Sequence, residues 1–297
     1  MPAGLKDEGR LLAPLAGRYI ESAPSGLLQP HIRCAWIHQL PDEIEGGITV
    51  VPDCCSDLIW TGGELCIVGP DRTAAFPDIP AGSRLLGVRF APGRAGQWLR
   101  LPLSDIVGRT VALGDIAPGL AAEFEDRIAE AGSDDERIDL MLRAVDRAGT
   151  EKPAAAAMQF VLRRLDNAVG RRRSMIDDLT AELGISERSL RRRCHEVFGY
   201  GARTLDRILR FQRFLQQVRA TTPCSLAWLA AEAGYADQAH MTREVRDMSG
   251  LTPAAVVRQF KGPLAVSFNT GAVRTPYLPR MEVEHVHDDG KDRSSIC

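Results

Sequence analysis

The 297-residue chain has no run of about 18 consecutive apolar residues, so a membrane-spanning helix is not expected. Its first ten residues lack a basic start followed by an apolar stretch, so we expect no secretory signal and a cytoplasmic location. The cysteines are odd in number and form no Cys-x-x-Cys pattern, which favours reduced thiols over a disulfide framework. The seven are Cys34, Cys54, Cys55, Cys66, Cys194, Cys224 and Cys297.

Familiar enzyme signatures are also missing. There is no phosphate-binding loop, no dinucleotide-binding glycine pattern and no His-Glu-x-x-His. We therefore expect a protein that is not an enzyme and that holds no cofactor or metal. One enzymatic alternative stays open, a DNA-repair alkyl transferase fused to a DNA-binding module. That chemistry needs a zinc-held set of four cysteines, and Cys34, Cys54, Cys55 and Cys66 do not obviously supply the spacing.

A net charge of -2 conceals an uneven distribution of charge along the chain. Residues 154–262 hold 18 of the 37 Lys and Arg but only 11 of the 39 Asp and Glu. A basic segment within an acidic chain is typical of a module that binds a polyanion such as DNA.

The first 114 residues read as a β-rich domain. Short apolar runs at 47–52, 57–60, 65–68 and 84–90 are each bounded by Pro or Gly, which predicts strands. We predict a small antiparallel domain, either a sandwich or a cupin-like barrel, with short helices near 97–107.

Helical spacing of apolar residues begins at Leu120. Two amphipathic segments within 115–150 predict a helical hairpin, which either pairs two chains or covers the β domain. Residues 149–153 are the expected linker. Residues 154–262 read as an all-α domain, and the polar residues 263–297 as a partly disordered tail. The predicted fold class is therefore α+β.

The first helix-turn-helix unit is predicted around Gly184. That glycine can end a helix over 176–183 in the left-handed conformation, and Ser186 can cap the next helix. Leu190 and Cys194 then point inward, and the positions between them point outward: Arg188, Arg191, Arg192 and Arg193. Such a helix lies in the major groove. The preceding turn, with Arg171 and Arg172, either contacts phosphate or is simply solvated.

The second unit repeats this plan about 50 residues later. Ser225 caps a helix over 226–233, Gly234 ends it, and Asp237 caps the next helix. Its inward residues are Met241 and Val245. Its outward residues are Gln238, Ala239, Thr242 and Arg243, of which Gln suits adenine while Thr and Ala suit the thymine methyl. A basic helix over about 204–218 connects the units.

At these residues the chain resembles the AraC family of bacterial transcription regulators. The resemblance is strongest over residues 225–240 (SLAWLAAEAGYADQAH), with 242–243 and 250–253; the first unit matches more loosely and residues 207–213 match the connector. It implies seven helices with base contacts from Arg188, Arg191, Arg192, Gln238, Ala239, Thr242 and Arg243. In the family, Cys194 is commonly a larger apolar residue, and Met241 and Val245 replace frequent phenylalanines.

Residues 51–60, 69–70 and 87–93 resemble an uncharacterised domain often found ahead of AraC-type modules, in which glycine usually replaces Cys54. The resemblance names no ligand. Cys54 and Cys55 either capture soft metals or oxidants or are small core residues. Asp53 and Asp57 either bind an effector or cap turns, and a histidine cluster at His285 and His287 is either a metal site or incidental.

Together these features predict a sequence-specific regulator, with an activator as the working expectation. Its expected partners are operator DNA, a small-molecule effector, a second copy of the chain and RNA polymerase. A thiol- or metal-responsive sensor on the same module and a nucleoid-type binder without sequence choice are the competing hypotheses.

Overall fold

A computed structural model describes residues 9–24, 26–44, 46–147, 154–168, 175–220 and 225–261. The predictions for the linker 149–153, for Arg171 and Arg172, for His285 and His287 and for the tail concern residues outside these ranges. Within the described ranges, no helix has the length and apolar character needed to cross a membrane.

The N-terminal half is built on strands. Those in the described ranges are β1 (Leu11–Leu12), β2 (Arg18–Ser22), β3 (Ile32–Gln39), β4 (Ile48–Thr49), β5 (Asp57–Trp60), β6 (Leu65–Val68), β7 (Arg84–Phe90) and β8 (Thr110–Ala112). Six of them form one antiparallel sheet in the order β2-β3-β7-β5-β6-β8, while β1 and β4 pair in parallel. The predicted strand over 47–52 was too long: after β4, Val50 forms a single bridge with Ala75, and Pro52 has no N–H for a ladder.

A tryptophan ties three strands of this sheet together. Trp36 on β3 lies opposite Gly87 on β7, where a Cβ would be 2.3 Å from the indole ring. The missing side chain lets the indole extend across β7, and its Nε1 donates to Asp57 Oδ1 on β5 at 2.8 Å. A buried indole N–H needs such an acceptor, so this glycine and this aspartate serve one contact.

Helices cover one face of the sheet: α1 (Ala95–Leu99), α2 (Leu113–Ile116), α3 (Pro118–Glu130) and α4 (Asp134–Arg147). Phe124 and Ile128 of α3 and Met141 of α4 are buried in one cluster with Leu58 and Val88 of the sheet. The apolar side of the hairpin α3–α4 therefore packs on the β domain. For that side, this favours the prediction that the hairpin covers the β domain over the prediction that it pairs two chains.

Helices make up the C-terminal domain in the part of the chain that the structure describes. Its helices in the described ranges are α5 (Ala154–Asp166), α6 (Met175–Leu183), α7 (Glu187–Phe198), α8 (Ala202–Ala220), α9 (Leu226–Ala233), α10 (Gln238–Ser249) and α11 (Pro253–Lys261). The central helix is α8, which buries Leu205, Ile208, Leu209, Phe211, Phe214 and Leu215. The α+β class, with an antiparallel N-terminal sheet and a C-terminal helical domain, is confirmed.

The two halves share a buried seam. Cys54 and Leu12 from the N-terminal half belong to the same apolar cluster as Tyr200 and Phe211. Cys54 has φ +66°, the left-handed conformation in which glycine is usual. The Gln212 amide donates to the Pro52 carbonyl at 2.6 Å, so the loop before β5 is fixed to α8.

Candidate nucleic-acid interface

The first helix-turn-helix unit consists of α6 and α7. Gly184 has φ +61°, and the Ile185 N–H returns to the Thr180 carbonyl at 3.1 Å to close the end of α6. Ser186 then caps α7 by accepting from the Ser189 N–H at 3.2 Å. Local hydrogen bonds thus fix the angle at which α7 leaves α6.

Helix α7 has one buried and one exposed side. Leu190, Cys194 and Phe198 are buried in the domain core. The residues predicted to face DNA, Ser186, Arg188, Arg191 and Arg192, are all exposed, and Arg193 is half-buried. The exposed side therefore carries three guanidinium groups and one hydroxyl on two turns of helix.

The second unit, α9 and α10, repeats these caps. Ser225 accepts from the Trp228 N–H at 3.1 Å, and Gly234 ends α9 at φ +79°. Asp237 caps α10 by accepting from the His240 N–H at 2.6 Å. A carboxylate at this end also interacts favourably with the helix dipole.

Helix α10 presents a second row of exposed side chains, as the exposed side of α7 does for the first unit. Met241, Val245 and Met248 are buried, whereas Gln238, Ala239 and Arg243 are exposed. Thr242 is half-buried, and its hydroxyl donates to the Gln238 carbonyl at 2.8 Å. That hydroxyl proton is used within the helix, so the side chain can offer its methyl group to a thymine.

His240, on the first turn of α10, packs within the protein. Its ring meets Tyr235 edge-on at 5.5 Å, and its Nδ1 accepts from the Ala236 N–H at 3.4 Å. Its Nε2 lies 3.4 Å from Glu244 Oε1. The ring therefore supports the corner between α9 and α10.

Basic residues of the connector α8 are engaged inside the domain. Arg210 is buried and pairs with Asp206 at 2.6 Å and with Glu244 at 3.1 Å. Arg207 pairs with the same Glu244 at 3.0 Å and with Asp247 at 3.1 Å. Because Glu244 and Asp247 belong to α10, these ion pairs attach the second recognition helix to the connector.

One exposed arginine of α10, Arg246, was not identified from the sequence as a residue that could face DNA. Arg246 lies three residues after Arg243 on α10 and is also exposed. Residues three apart are neighbours on a helix surface, so this spacing was a signal present in the sequence. Arg246 extends the basic side of α10 toward its C-terminal end.

The predicted effector residues Asp53 and Asp57 surround a half-buried arginine, Arg89. Arg89 Nε lies 3.0 Å from Asp57 Oδ1, and its NH1 lies 3.4 Å from Asp53 Oδ2. Asp53 also accepts from the Cys55 N–H at 3.0 Å, the turn-capping role that the sequence left open. Sequence reasoning missed Arg89 as the partner, although opposite charges facing each other across β5 and β7 are a usual pair.

The thiols of Cys34, Cys54, Cys55 and Cys66 in the N-terminal half are all buried. Burial raises the pKa of Cys34 to about 12 and that of Cys66 to about 11, and it also raises the pKa of Cys55. A reactive thiol needs a lowered pKa. No group of three or more His, Cys, Asp or Glu side chains that could hold a metal ion occurs among the described residues. The raised pKa values of Cys34, Cys55 and Cys66 are the opposite of what a thiol sensor needs.

The carboxyl of Asp71, a third acidic group beside Asp53 and Asp57, has an unusual pKa. Burial, followed by the charges of Asp53 and Asp57, raises the pKa of Asp71 to about 6. Asp71 follows β6 and lies in the loop that faces the helical domain.

Comparison with protein families supports this geometry. Residues 179–259 match the family described as Helix-turn-helix domain, and residues 20–112 match the family described as Domain of unknown function (DUF6597). The C-terminal match, over residues 179–259, is a helix-turn-helix domain of the AraC type. The resemblance read from the sequence is confirmed for both halves. The search of curated proteins found no match.

Similar solved structures include a probable AraC family transcriptional regulator from Rhodopseudomonas palustris CGA009, which is 25% identical, with 35% of this chain and 96% of that chain covered and a TM-score of 0.32. The DNA-binding domain of AdpA in complex with a target DNA is 18% identical, covering 37% of this chain and 94% of that chain at a TM-score of 0.31. ToxT from Vibrio cholerae O395 is 14% identical, with 70% of this chain and 86% of that chain covered and a TM-score of 0.39.

Proposed function

We propose that this chain is a sequence-specific transcription regulator in which α7 and α10 contact two adjacent major-groove segments of one operator. The observation that carries the proposal is a repeated arrangement: each helix is capped at its N-terminus, buried on one side and exposed on the side with donors suited to bases. Helices of this kind enter the major groove with their first turns at the base edges.

Each exposed row suits a different sequence. On α7, Arg188, Arg191 and Arg192 suit guanine O6 and N7, or phosphate. On α10, Gln238 suits adenine, Ala239 and Thr242 suit the thymine methyl, and Arg243 suits guanine. Ser186, at the N-terminal cap of α7, suits a phosphate oxygen, the role we also propose for Arg171 and Arg172. One long, asymmetric site follows from two dissimilar rows on one chain.

The connector α8 makes a fixed separation between the two rows plausible. It spans 19 residues, or about 28 Å at 1.5 Å per residue. Successive major-groove segments on one side of B-DNA repeat about every 34 Å. The ion pairs of Arg207 and Arg210 with Glu244 add a polar attachment between α8 and α10.

The N-terminal half is the proposed control domain. It shares a buried seam with the helical domain through Cys54 and Leu12, so a ligand that alters this half can alter the seam. A small molecule is the proposed effector, acting on residues 1–114. The polar outer side of the hairpin 115–150 stays the proposed contact between two copies, and RNA polymerase the proposed protein partner of an activator. Such a protein acts at the bacterial nucleoid.

The test is selection of binding sites from a random duplex library, followed by competition against random DNA at ~150 mM salt, where non-specific binding is weakened by counterion release. We expect Arg243→Ala to weaken binding to the selected site by about 1–3 kcal/mol and to relax one base position. Arg109→Ala, which removes an exposed arginine from the N-terminal half, is the control and should leave binding unchanged. Equal losses on selected and random DNA would refute base recognition by Arg243.

A further inference from the structure

We propose that residues 70–76 of the N-terminal half form a strap across the C-terminal ends of both α7 and α10. In this proposal Arg72 and Phe76 are positioning residues that set the spacing between the two recognition helices. The inference rests on the proposed function, and it assigns the spacing of the two DNA contacts to residues outside the helix-turn-helix domain.

One end of the strap lies against the end of α7. Gly199 caps α7 at φ +84°, and a Cβ there would lie 3.1 Å from Pro70 Cγ and 2.4 Å from Val107 Cγ2. Arg72 donates from NH2 to the Gly199 carbonyl at 3.4 Å. A cation at a helix C-terminus is favoured by the helix dipole. Burial, followed by the charges of Arg191 and Arg72, lowers the pKa of His195 in the last turn of α7.

The other end lies against the end of α10. Gly250 caps α10 at φ +71°, and a Cβ there would lie 3.2 Å from Phe76 Cζ. Phe76 is 47% exposed, so it is not a core residue, and Arg10 covers its ring at 4.5 Å. The backbone of Arg10 is in turn bound by Gln259 of α11, whose Nε2 donates to its carbonyl at 2.7 Å.

The strap is itself fixed to the N-terminal domain. Ala75 and Val50 exchange two backbone hydrogen bonds, of 2.8 and 2.9 Å. At the other end, Gly69 donates to the Arg109 carbonyl at 2.9 Å, and a Cβ on Gly69 would lie 1.8 Å from the Ile106 carbonyl oxygen. Both ends of the strap are therefore held before they reach the helices.

This arrangement leaves the DNA-facing turns free while it holds the opposite ends. A 12-residue helix such as α7 or α10 is about 18 Å long. Pivoting it by about 10° about its C-terminal end moves the other end by about 3 Å. That displacement is close to the spacing of about 3.4 Å between successive base pairs. Small movements at the strap therefore change which base pair each row meets, and this gives the N-terminal half a route to the DNA.

The experiment measures spacing tolerance. The full-length chain is titrated with the selected operator and with versions carrying one inserted or deleted base pair between the two contacted segments. We expect a one-base-pair change to weaken wild-type binding at least about tenfold, as the loss of a base contact does. For the double variant Arg72→Ala with Phe76→Ala, we expect less than about a threefold difference between spacings, with weaker binding to the original operator.

The matched control is Arg147→Ala with Phe160→Ala. Arg147 is an exposed arginine of α4 that pairs with Glu123 at 2.6 Å, and Phe160 is likewise partly exposed, on α5. This control should keep the wild-type spacing preference. Equal relaxation in both double variants, or an unchanged preference in the strap variant, overturns the inference while leaving the proposed function intact. A wild-type chain that does not distinguish operator from random DNA overturns the proposed function, and the inference falls with it.

Discussion

Removing the carboxylate of Glu244 should weaken the attachment of the second recognition helix, α10, to the connector α8. Glu244 is buried and contacts Arg210 at 3.1 Å and Arg207 at 3.0 Å. The Arg210 side chain is only 7% exposed, and its Nε has no hydrogen-bond partner among the described residues. Glu244→Ala therefore leaves a buried guanidinium with Asp206 as its remaining carboxylate, at 2.6 Å.

The expected cost follows from this geometry. Removing one partner of a buried ion pair costs about 3–5 kcal/mol, and the surviving contact with Asp206 places Glu244→Ala at the lower end, about 3 kcal/mol. The measurement is urea unfolding of the full-length chain followed by circular dichroism, in which the midpoint should fall while the slope stays unchanged.

Asp247→Ala provides the control, because Asp247 lies on the same helix and pairs with the same Arg207 at 3.1 Å. Its side chain is 63% exposed, so its removal should cost less than about 1 kcal/mol. If the two variants lose similar amounts of stability, burial does not strengthen the Glu244 ion pairs and this account of the connector is wrong.

Three further changes test other parts of the fold. Because the folded pKa of Asp71, about 6, exceeds its ordinary value of 3.8, the wild type should lose stability as pH rises from about 4 to about 6. Asp71→Asn should therefore be more stable than wild type by about 1–2 kcal/mol at pH 7.5, after allowance for solvent screening, and no more stable near pH 4; an unchanged pH profile would contradict this. Gly87→Ala should lower the free energy of unfolding in urea by about 2–3 kcal/mol, because its Cβ would meet the Trp36 ring. An unchanged free energy would disprove the passage of the Trp36 indole across β7 at Gly87. Ser225→Ala should cost about 1 kcal/mol through the lost cap on the Trp228 N–H, whereas Ser225→Asp should retain most of it.

The helical domain was predictable because its signals are local. Ser186, Ser225 and Asp237 are cap residues within three positions of the N–H groups that they bind, and Gly184 and Gly234 end helices where a left-handed residue is required. The helical spacing of apolar residues and the cap residues therefore located the exposed sides of α7 and α10 without any knowledge of the tertiary structure.

The seam and the strap could not be predicted in this way. The contact between Arg72 and Gly199 joins residues 127 apart in the chain, and no periodic pattern encodes such a pair. The arginines of α8 were predicted only as part of a basic connecting helix, because their shared partner Glu244 comes from another helix. Cys54 was interpreted from its neighbour Cys55, whereas its distinguishing feature in the structure is a backbone with positive φ.

The most direct test of the central claim compares Arg191→Ala on α7 with Arg243→Ala on α10 by repeating the site selection with each variant. The account predicts that each variant loses preference at a different position of one continuous site, the two positions lying about one helical turn, or roughly 10 base pairs, apart. Loss of preference at the same position in both variants, or no change in either, would contradict it.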